Sequence, residues 1–396
     1  DHRDLHSFPT RRSSDLQSKK GYLKLLHHPG EGQADFGDAS FEIGGKMIKG
    51  SYLILSFPYS NCGFMQLTYG QNAECLFESL MAIFDFIGGV PYEIWFDNGS
   101  AMVRFIKKHR HVNDRFLRFA AHYGFTPVFM EPSKGNQKGN VENKVGALRR
   151  HILVPVPKYE TMREGNVKVL QKCVARNQRV HYQKGETLAA LFEEDKKMLL
   201  PLPALPFDPT CYMPVKTDKY GFIRLDNNTR IYSTSPDYPA TTLRVFLTSE
   251  TVTIKDTQNK VITVHHRLYG DKEEKKALYS INWDLYLPYV AHHPNSFRNT
   301  ELHDLLPGEL SEFLDSLNNT GRGFVLQILA DITEKASFDE AVSIVSHAIH
   351  CDGDRVEAIS DAYLKLFPKE GLPSLPDTDG DPEAEATSSG FDAEVL

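Results

Sequence analysis

Three acidic residues carry the chemistry that this sequence can offer. They are Asp35 in Gly-Gln-Ala-Asp-Phe-Gly, Asp97 in Trp-Phe-Asp-Asn-Gly and Glu142 in Lys-Gly-Asn-Val-Glu-Asn-Lys. Each alone has an ordinary explanation. Asp97-Asn98-Gly99 spells a turn, Asp35 can cap a loop, and Glu142 sits where a helix N-terminus favours an anion. Together they read differently. A charge inside a strand is costly unless a partner or a metal neutralises it. If the strands bearing Asp35 and Asp97 are neighbours and the following helix lays Glu142 across them, three carboxylates crowd one place. Mg²⁺ or Mn²⁺ is then the natural counter-charge, because hard cations take oxygen ligands. Two such ions suit an in-line displacement at a phosphate.

The elements that must position these acids follow from apolar periodicity. Residues 33–37 read as a short strand, 51–58 as a buried strand and 63–69 as an alternating third. Residues 72–87 show a helical face of Cys75, Leu76, Leu80, Ile83, Phe84 and Ile87, stopped by Gly88-Gly89. A strand at 91–96 ends at Asp97, and a helix at 116–123 stops at Gly124. A fifth strand at 125–130 leads into a Pro-, Gly- and Asn-rich loop, then a helix over 141–153 with Glu142 in its first turn. Asp38 lies three residues after Asp35, so strand alternation turns it to the opposite face and leaves Asp35 as the candidate.

Net charge is −7 over 396 residues, but the average hides an asymmetry. Residues 104–184 hold eighteen Lys and Arg against five Asp and Glu, whereas residues 300–396 hold five against twenty-one. A solvated helical face needs no such surplus, so the basic block points to a polyanion partner. Lys134, Lys138 and Lys144, with Arg149 and Arg150 more weakly, are the candidate phosphate contacts around Glu142. The five cysteines are scattered, with no C-x-x-C pair, and the His pairs 27/28, 265/266 and 292/293 have no partners at metal spacing. These histidines are expected in loops or at the surface. No apolar run approaches the ~18 residues of a membrane span.

The ordered set Asp35, Asp97, Glu142 on this strand–helix plan resembles the DDE core of the RNase H-like integrases and transposases. It is more similar still to IstA-like transposases of the IstA/IstB insertion-sequence family. The matching stretches are Pro29-Gly30-Glu31-Gly32-Gln33-Ala34-Asp35-Phe36-Gly37, Trp95-Phe96-Asp97-Asn98, the run from Arg115 to Gly124, and Lys138-Gly139-Asn140-Val141-Glu142. The resemblance implies that Asp35, Asp97 and Glu142 are catalytic and hold Mg²⁺ or Mn²⁺, two ions in all. It implies nicking at the ends of a DNA element, then attack of the 3′-OH on target DNA with no covalent protein–DNA intermediate. It also implies double-stranded DNA, a homo-oligomer on that DNA and an IstB-like AAA+ ATPase as partners, and residence in the bacterial cytoplasm at the nucleoid. The family's N-terminal helix-turn-helix, which reads element ends, has no counterpart here. Three alternatives stay open: a DDE-fold nuclease without strand transfer, a non-enzymatic remnant that binds DNA or the ATPase, and a plain α/β protein.

The expected fold class is an α/β RNase H-like core, a five-stranded mixed sheet with helices, followed by a small β-barrel and a C-terminal helical region. Residues 1–16 lack periodicity and an apolar signal-peptide region and read as a tail foreign to the fold. Residues 17–185 form the core with trailing basic helices, and 186–212, dense in Pro from 201, read as a linker. Short strands separated by turn residues at 213–270 suggest the barrel. Helical patterns fill 271–368, and 369–396 have the composition of a disordered acidic tail.

Overall fold

The computed structural model describes residues 27–96, 103–106, 109–129, 148–270, 277–350 and 355–374, in two units, Asp1–Pro209 and Thr210–Leu396.

In the first unit, β1 (Glu31–Ile43), β2 (Lys46–Ser56) and β3 (Gly63–Thr68) form an antiparallel meander. The β1–β2 turn is Gly44-Gly45, with φ of 54° and 77°. A two-residue hairpin turn with positive φ at both positions matches the strand twist and suits glycine. Helix α1 (Ala73–Ile87) begins where the Asn72 side chain accepts from the Cys75 N–H at 2.9 Å and ends at Gly88. Next come β4 (Glu93–Phe96), the hairpin strands β5 (Val103–Ile106) and β6 (His109–Val112), α2 (Asp114–Tyr123, stopped at Gly124) and β7 (Thr126–Phe129). The main sheet order is β3-β2-β1-β4-β7, with β4 parallel to β1 and β7 parallel to β4. A short β8 (Lys158–Tyr159) pairs with the far end of β1. The five-stranded mixed sheet is therefore present, with a sixth strand appended.

The helix α3 is described over 148–153, and the rest of the expected 141–153 helix lies outside the described residues. Helices α4 (Met162–Asn177) and α5 (Leu188–Lys197) complete the unit. Strand β2 is buried from Gly50 onward and β3 throughout, because helices cover both faces and leave no side to water.

Two stretches differ from expectation. β1 runs well beyond 33–37, since the hairpin turn extends its ladder to Ile43↔Lys46. Residues 186–209 do not behave as a linker. α5 buries Leu191, Phe192 and Asp195, Leu200 bridges to Val90, and Phe207 packs edge-on against Phe77 and Phe119. Proline removes backbone donors and breaks the pattern, but Leu199, Leu200, Leu202 and Phe207 around the prolines pack against the core.

The second unit opens with a four-stranded antiparallel sheet of β9 (Cys211–Lys216), β12 (Thr242–Leu247), β13 (Thr251–Lys255) and β14 (Val261–His266). A three-stranded sheet joins β10 (Phe222–Leu225), β11 (Arg230–Ser233) and β15 (Leu278–Ser280). Where a barrel was expected, the described strands pair as these two sheets around one core of Ile223, Tyr232, Leu243, Val245, Leu247, Val252 and Ile254. The anticipated turn Asp226-Asn227-Asn228 holds φ of 49°, 56° and 65°. The helical part comprises α6 (Trp283–His292), α7 (Pro294–Phe297), α8 (Glu301–Asp304), α9 (Gly308–Ser316), α10 (Asn319–Lys335), α11 (Phe338–Ile349) and α12 (Arg355–Leu366). No helix of the described residues is long and apolar enough to cross a membrane.

His265 is a correction to the surface reading of the His pairs. It is 5% exposed, its Nε2 donates to the Ser233 carbonyl at 2.7 Å and its Nδ1 accepts from the Ser280 hydroxyl at 2.9 Å, which ties β14 to β11 and β15. Burial lowers its pKa from 6.5. A group whose folded pKa is depressed contributes stability that is present above its unfolded pKa and lost as pH falls through the folded one. Hydrogen exchange of the β11, β14 and β15 amides in the full chain should therefore accelerate as pH is lowered below about 6.5, after correction for intrinsic rates. His265→Gln should remove that acceleration.

Candidate active site

The position of Asp35 is set by pairing on both edges of β1. Against β2 the antiparallel register puts Asp35 opposite Ile54, Gly37 opposite Tyr52 and Asp38 opposite Ser51. Against β4 the parallel register runs from Glu31↔Glu93 to Ala34↔Phe96. The next residue of the first strand is Asp35 and the next of the other chain segment is Asp97. Asp97, Glu142, Lys134, Lys138 and Lys144 lie outside the described residues, whereas Asp35, Arg149 and Arg150 lie within them.

Alternate residues of a strand share a face, so Asp35 shares one with Gln33 and Gly37 and, across the ladder, with Ile54 and Tyr52. Tyr52 lies directly over Gly37. A Cβ there would come 2.2 Å from the ring Cζ and the hydroxyl oxygen, so only glycine lets the ring lie down. The same face is covered by α3: Leu148 approaches Gly63, which pairs with Ser56, itself opposite Gln33. Arg149 reaches the same neighbourhood. Burial raises the Tyr52 hydroxyl pKa, Arg149 opposes that rise, and the Asp35 and Asp38 charges add to it. Asp38 itself accepts from Gln71 Nε2 at 2.8 Å, and Gln71 also donates to the Ser51 hydroxyl. Asp35 and the helix that follows Glu142 in sequence are thus on one side of the sheet, and Asp38 has a partner of its own.

The start of β1 is clamped. The Gly30 N–H donates to Asp195 Oδ1 of α5 at 2.8 Å, and Asp195 is fully buried. Burial raises that carboxyl's pKa against hydrogen bonds from Ser60 and Gly30. On the other face the buried Glu74 of α1 forms an ion pair with Arg115 of α2, which also donates to the Pro209 carbonyl at 2.7 Å. Sequence reasoning missed Tyr52, Asp195 and this pair. The visible signals were a glycine between two acids of one strand and an acid three residues past the apolar opening Leu188–Phe192 of α5.

Arg149, Arg150 and His151 of α3 are exposed, and burial followed by Arg176, Arg179 and Lys172 depresses the His151 pKa. Among the described residues no group of three His, Cys, Asp or Glu is placed to hold a metal ion, and two of the three candidate acids lie outside them.

With this geometry in hand, comparison gives the chain's relatives. No family model matches it. A transposase of Aminobacter aminovorans is 26% identical over 305 residues, 73% of this chain and 57% of the relative. A transposase for insertion sequences IS1326/IS1353 from Pseudomonas aeruginosa is 25% identical over 289 residues, 71% of this chain and 56% of the relative. The transposase of insertion element IS21 from the same species is 27% identical over 211 residues, 52% of each. The chain resembles insertion-sequence transposases. It spans about half the length of the curated relatives it matches, 57% and 56% of the first two. Solved structures similar to it are a chain of the simian T-cell lymphotropic virus intasome, with TM-score 0.34, 14% identity and coverage of 63% of this chain and 82% of that one. Another is the HTLV-2 integrase catalytic core domain in complex with magnesium, with TM-score 0.30, 15% identity and coverage of 43% and 99%.

Two substitutions test the frame. Gly37→Ala should displace Tyr52 and cost about 1–3 kcal/mol of stability, read by denaturant unfolding. Asp195→Ala should leave the buried Gly30 N–H unpaired at a cost of about 1–3 kcal/mol and speed exchange of the first β1 amides. Wild-type stability in either variant contradicts the packing described.

Proposed function

We propose that this chain carries the catalytic core of an insertion-sequence transposase that cleaves and joins DNA by DDE chemistry, with Asp35, Asp97 and Glu142 as the acids. The observation that carries this reading is the parallel β1–β4 register. It runs to Ala34↔Phe96, so the two acids are the next residues of adjacent strands, and the helix after Glu142 covers the face that bears Asp35.

Asp35, Asp97 and Glu142 are hard oxygen donors of the kind Mg²⁺ and Mn²⁺ prefer, and two ions fit three carboxylates better than none, since like charges this close otherwise repel. Bound Mg²⁺ or Mn²⁺ would supply Lewis acidity and charge stabilisation at the phosphate. The chain's own residues do the rest. The clamp on Gly30 and the Tyr52–Gly37 contact hold β1 still, so that Asp35 keeps its place through the reaction. Lys134, Lys138, Lys144, Arg149 and Arg150 hold DNA phosphates next to the acids. In the first step a water oxygen bonds to phosphorus as the P–O3′ bond breaks, which leaves a 3′-OH. In the second that 3′-OH bonds to a target phosphorus as the target's own P–O3′ bond breaks. The number of phosphodiester bonds is unchanged in the second step, so it needs no external energy source.

The same reading supplies the partners. Duplex DNA, both element ends and target, is the substrate. A homo-oligomer brings two ends together, and an IstB-like AAA+ ATPase selects the target, for which the acidic helical region after residue 300 is a docking surface. The two-sheet module of 211–280 corresponds to the barrel that follows the core and touches DNA. The setting is the bacterial cytoplasm, at the nucleoid.

Purified protein with Mn²⁺ and a duplex carrying the element's ends should produce nicked and joined products. Asp35→Asn and Asp97→Asn should each reduce both to background while the unfolding midpoint in metal-free buffer stays level or rises. Wild-type activity in either variant would remove that acid from the site. Nicking without joined products would favour a nuclease.

A further inference from the structure

Helix α4 is docked through its edge contacts. The Asn166 side chain accepts from the Leu67 N–H at 2.6 Å and donates to the Leu67 carbonyl at 3.1 Å, and Asn177 donates to the Gly63 carbonyl at 3.4 Å. Two asparagines eleven residues apart thus satisfy backbone groups on the open edge of β3 and fix the rotation of the helix. Met162, Gly165, Val169, Leu170 and Cys173 face inward as a consequence. At 3.6 residues per turn, Lys172 and Arg176 fall within roughly 40° of one another on one flank, and Arg179 follows just after the helix ends at Asn177. Asn177 of this helix and Leu148 of α3 both reach Gly63, which makes the two helices neighbours and brings Arg150 and His151 within electrostatic reach of that flank. The Arg176 pKa is lowered by burial and then by Arg179 and Arg150, and that of His151 by burial and then by Arg176, Arg179 and Lys172, so Arg176 and His151 both stand in the field of the neighbouring cations.

The first-turn acid of α4, Glu164, is bound to Lys168, and none of the five groups has an ion pair with a described carboxylate. A cationic last turn complements a helix dipole, but one or two charges serve that purpose, and further like charges at helical spacing repel. Five cationic or titratable groups held together cost stability. A polyanion is what would repay it.

We propose that His151, Lys172, Arg176 and Arg179, continuing from Arg150 where it holds the phosphates next to the acids, form a second binding surface for the phosphate backbone of duplex DNA, in addition to the lysines around Glu142. The inference rests on DNA being the substrate of this chain. The surface grips the duplex through charge alone, without base readout, so it extends the contact beyond the phosphates next to the acids and is indifferent to sequence.

The test is anisotropy of a labelled duplex of arbitrary sequence on the full chain, titrated over salt. Compared are wild type, Lys172→Gln/Arg179→Gln, which spares the half-buried Arg176, the triple variant with Arg176→Gln, and Lys196→Gln/Lys197→Gln as a control on α5, where both lysines pair with glutamates. The slope of log K against log salt should fall by about 1.8 in the double and about 2.7 in the triple variant, at about 0.9 per phosphate contact. It should stay unchanged in the control. The unfolding midpoint of the double variant should hold or rise, since like charges have been removed. A wild-type slope in the double variant, with wild type binding DNA, overturns the proposal and leaves the DNA reading intact. Absence of DNA binding by wild type itself overturns the reading beneath it. Loss of slope accompanied by a lowered midpoint in the double variant assigns these charges to the fold and also overturns the proposal.

Discussion

The first unit depends on how β1 is hydrogen-bonded. One edge is tied to β2 over eleven antiparallel pairs, from Gln33↔Ser56 to Ile43↔Lys46, and the other to β4 over four parallel ones. A strand paired on both sides cannot slip by one residue without turning its apolar set to the wrong face. Asp35 inherits that certainty. It stands on a strand that can neither shift nor rotate, one residue past the end of the parallel ladder. The remaining devices serve the same strand. Gly44-Gly45 closes its hairpin, Asp195 holds Gly30 at its start, and Tyr52 lies across Gly37 in its middle.

The distribution of charge follows a similar logic. Acids buried in this unit have named partners: Glu74 has Arg115, and Asp195 has the Gly30 N–H. Outside, α3 and the flank of α4 beside it carry cations without described counter-ions. Asp35 stands inside β1, and the described cations stand on exposed helix flanks.

Much of this was legible in the sequence because local chemistry and tertiary role agree. Asn72 and Gly88 bracket α1 as capping residues should, Gly124 stops α2, and Asp226-Asn227-Asn228 turns where the composition says it must. Alternation sets Asp35 and Asp38 on opposite faces of one strand, and Asp38 accepts from Gln71. What stayed hidden was set by long-range contact. The stretch 186–209 looks like a linker because proline punctuates it, yet α5 and Phe207 find apolar surface supplied by residues a hundred positions earlier. The burial of His265 depends on Ser233 and Ser280 from other strands. The basic flank of α4 appears in the sequence as a charge surplus only. Its orientation is decided by Asn166 and Asn177 at the edge of β3.

The central claim is that Asp35 and Asp97 meet at the end of the β1–β4 ladder and share a divalent ion. Isothermal titration of the full chain with Mn²⁺ tests it most directly, with Asp35→Asn and Asp97→Asn titrated beside wild type. The account predicts Mn²⁺ binding in wild type and loss of the same site in each variant. Mn²⁺ binding left unchanged by Asp35→Asn would contradict it.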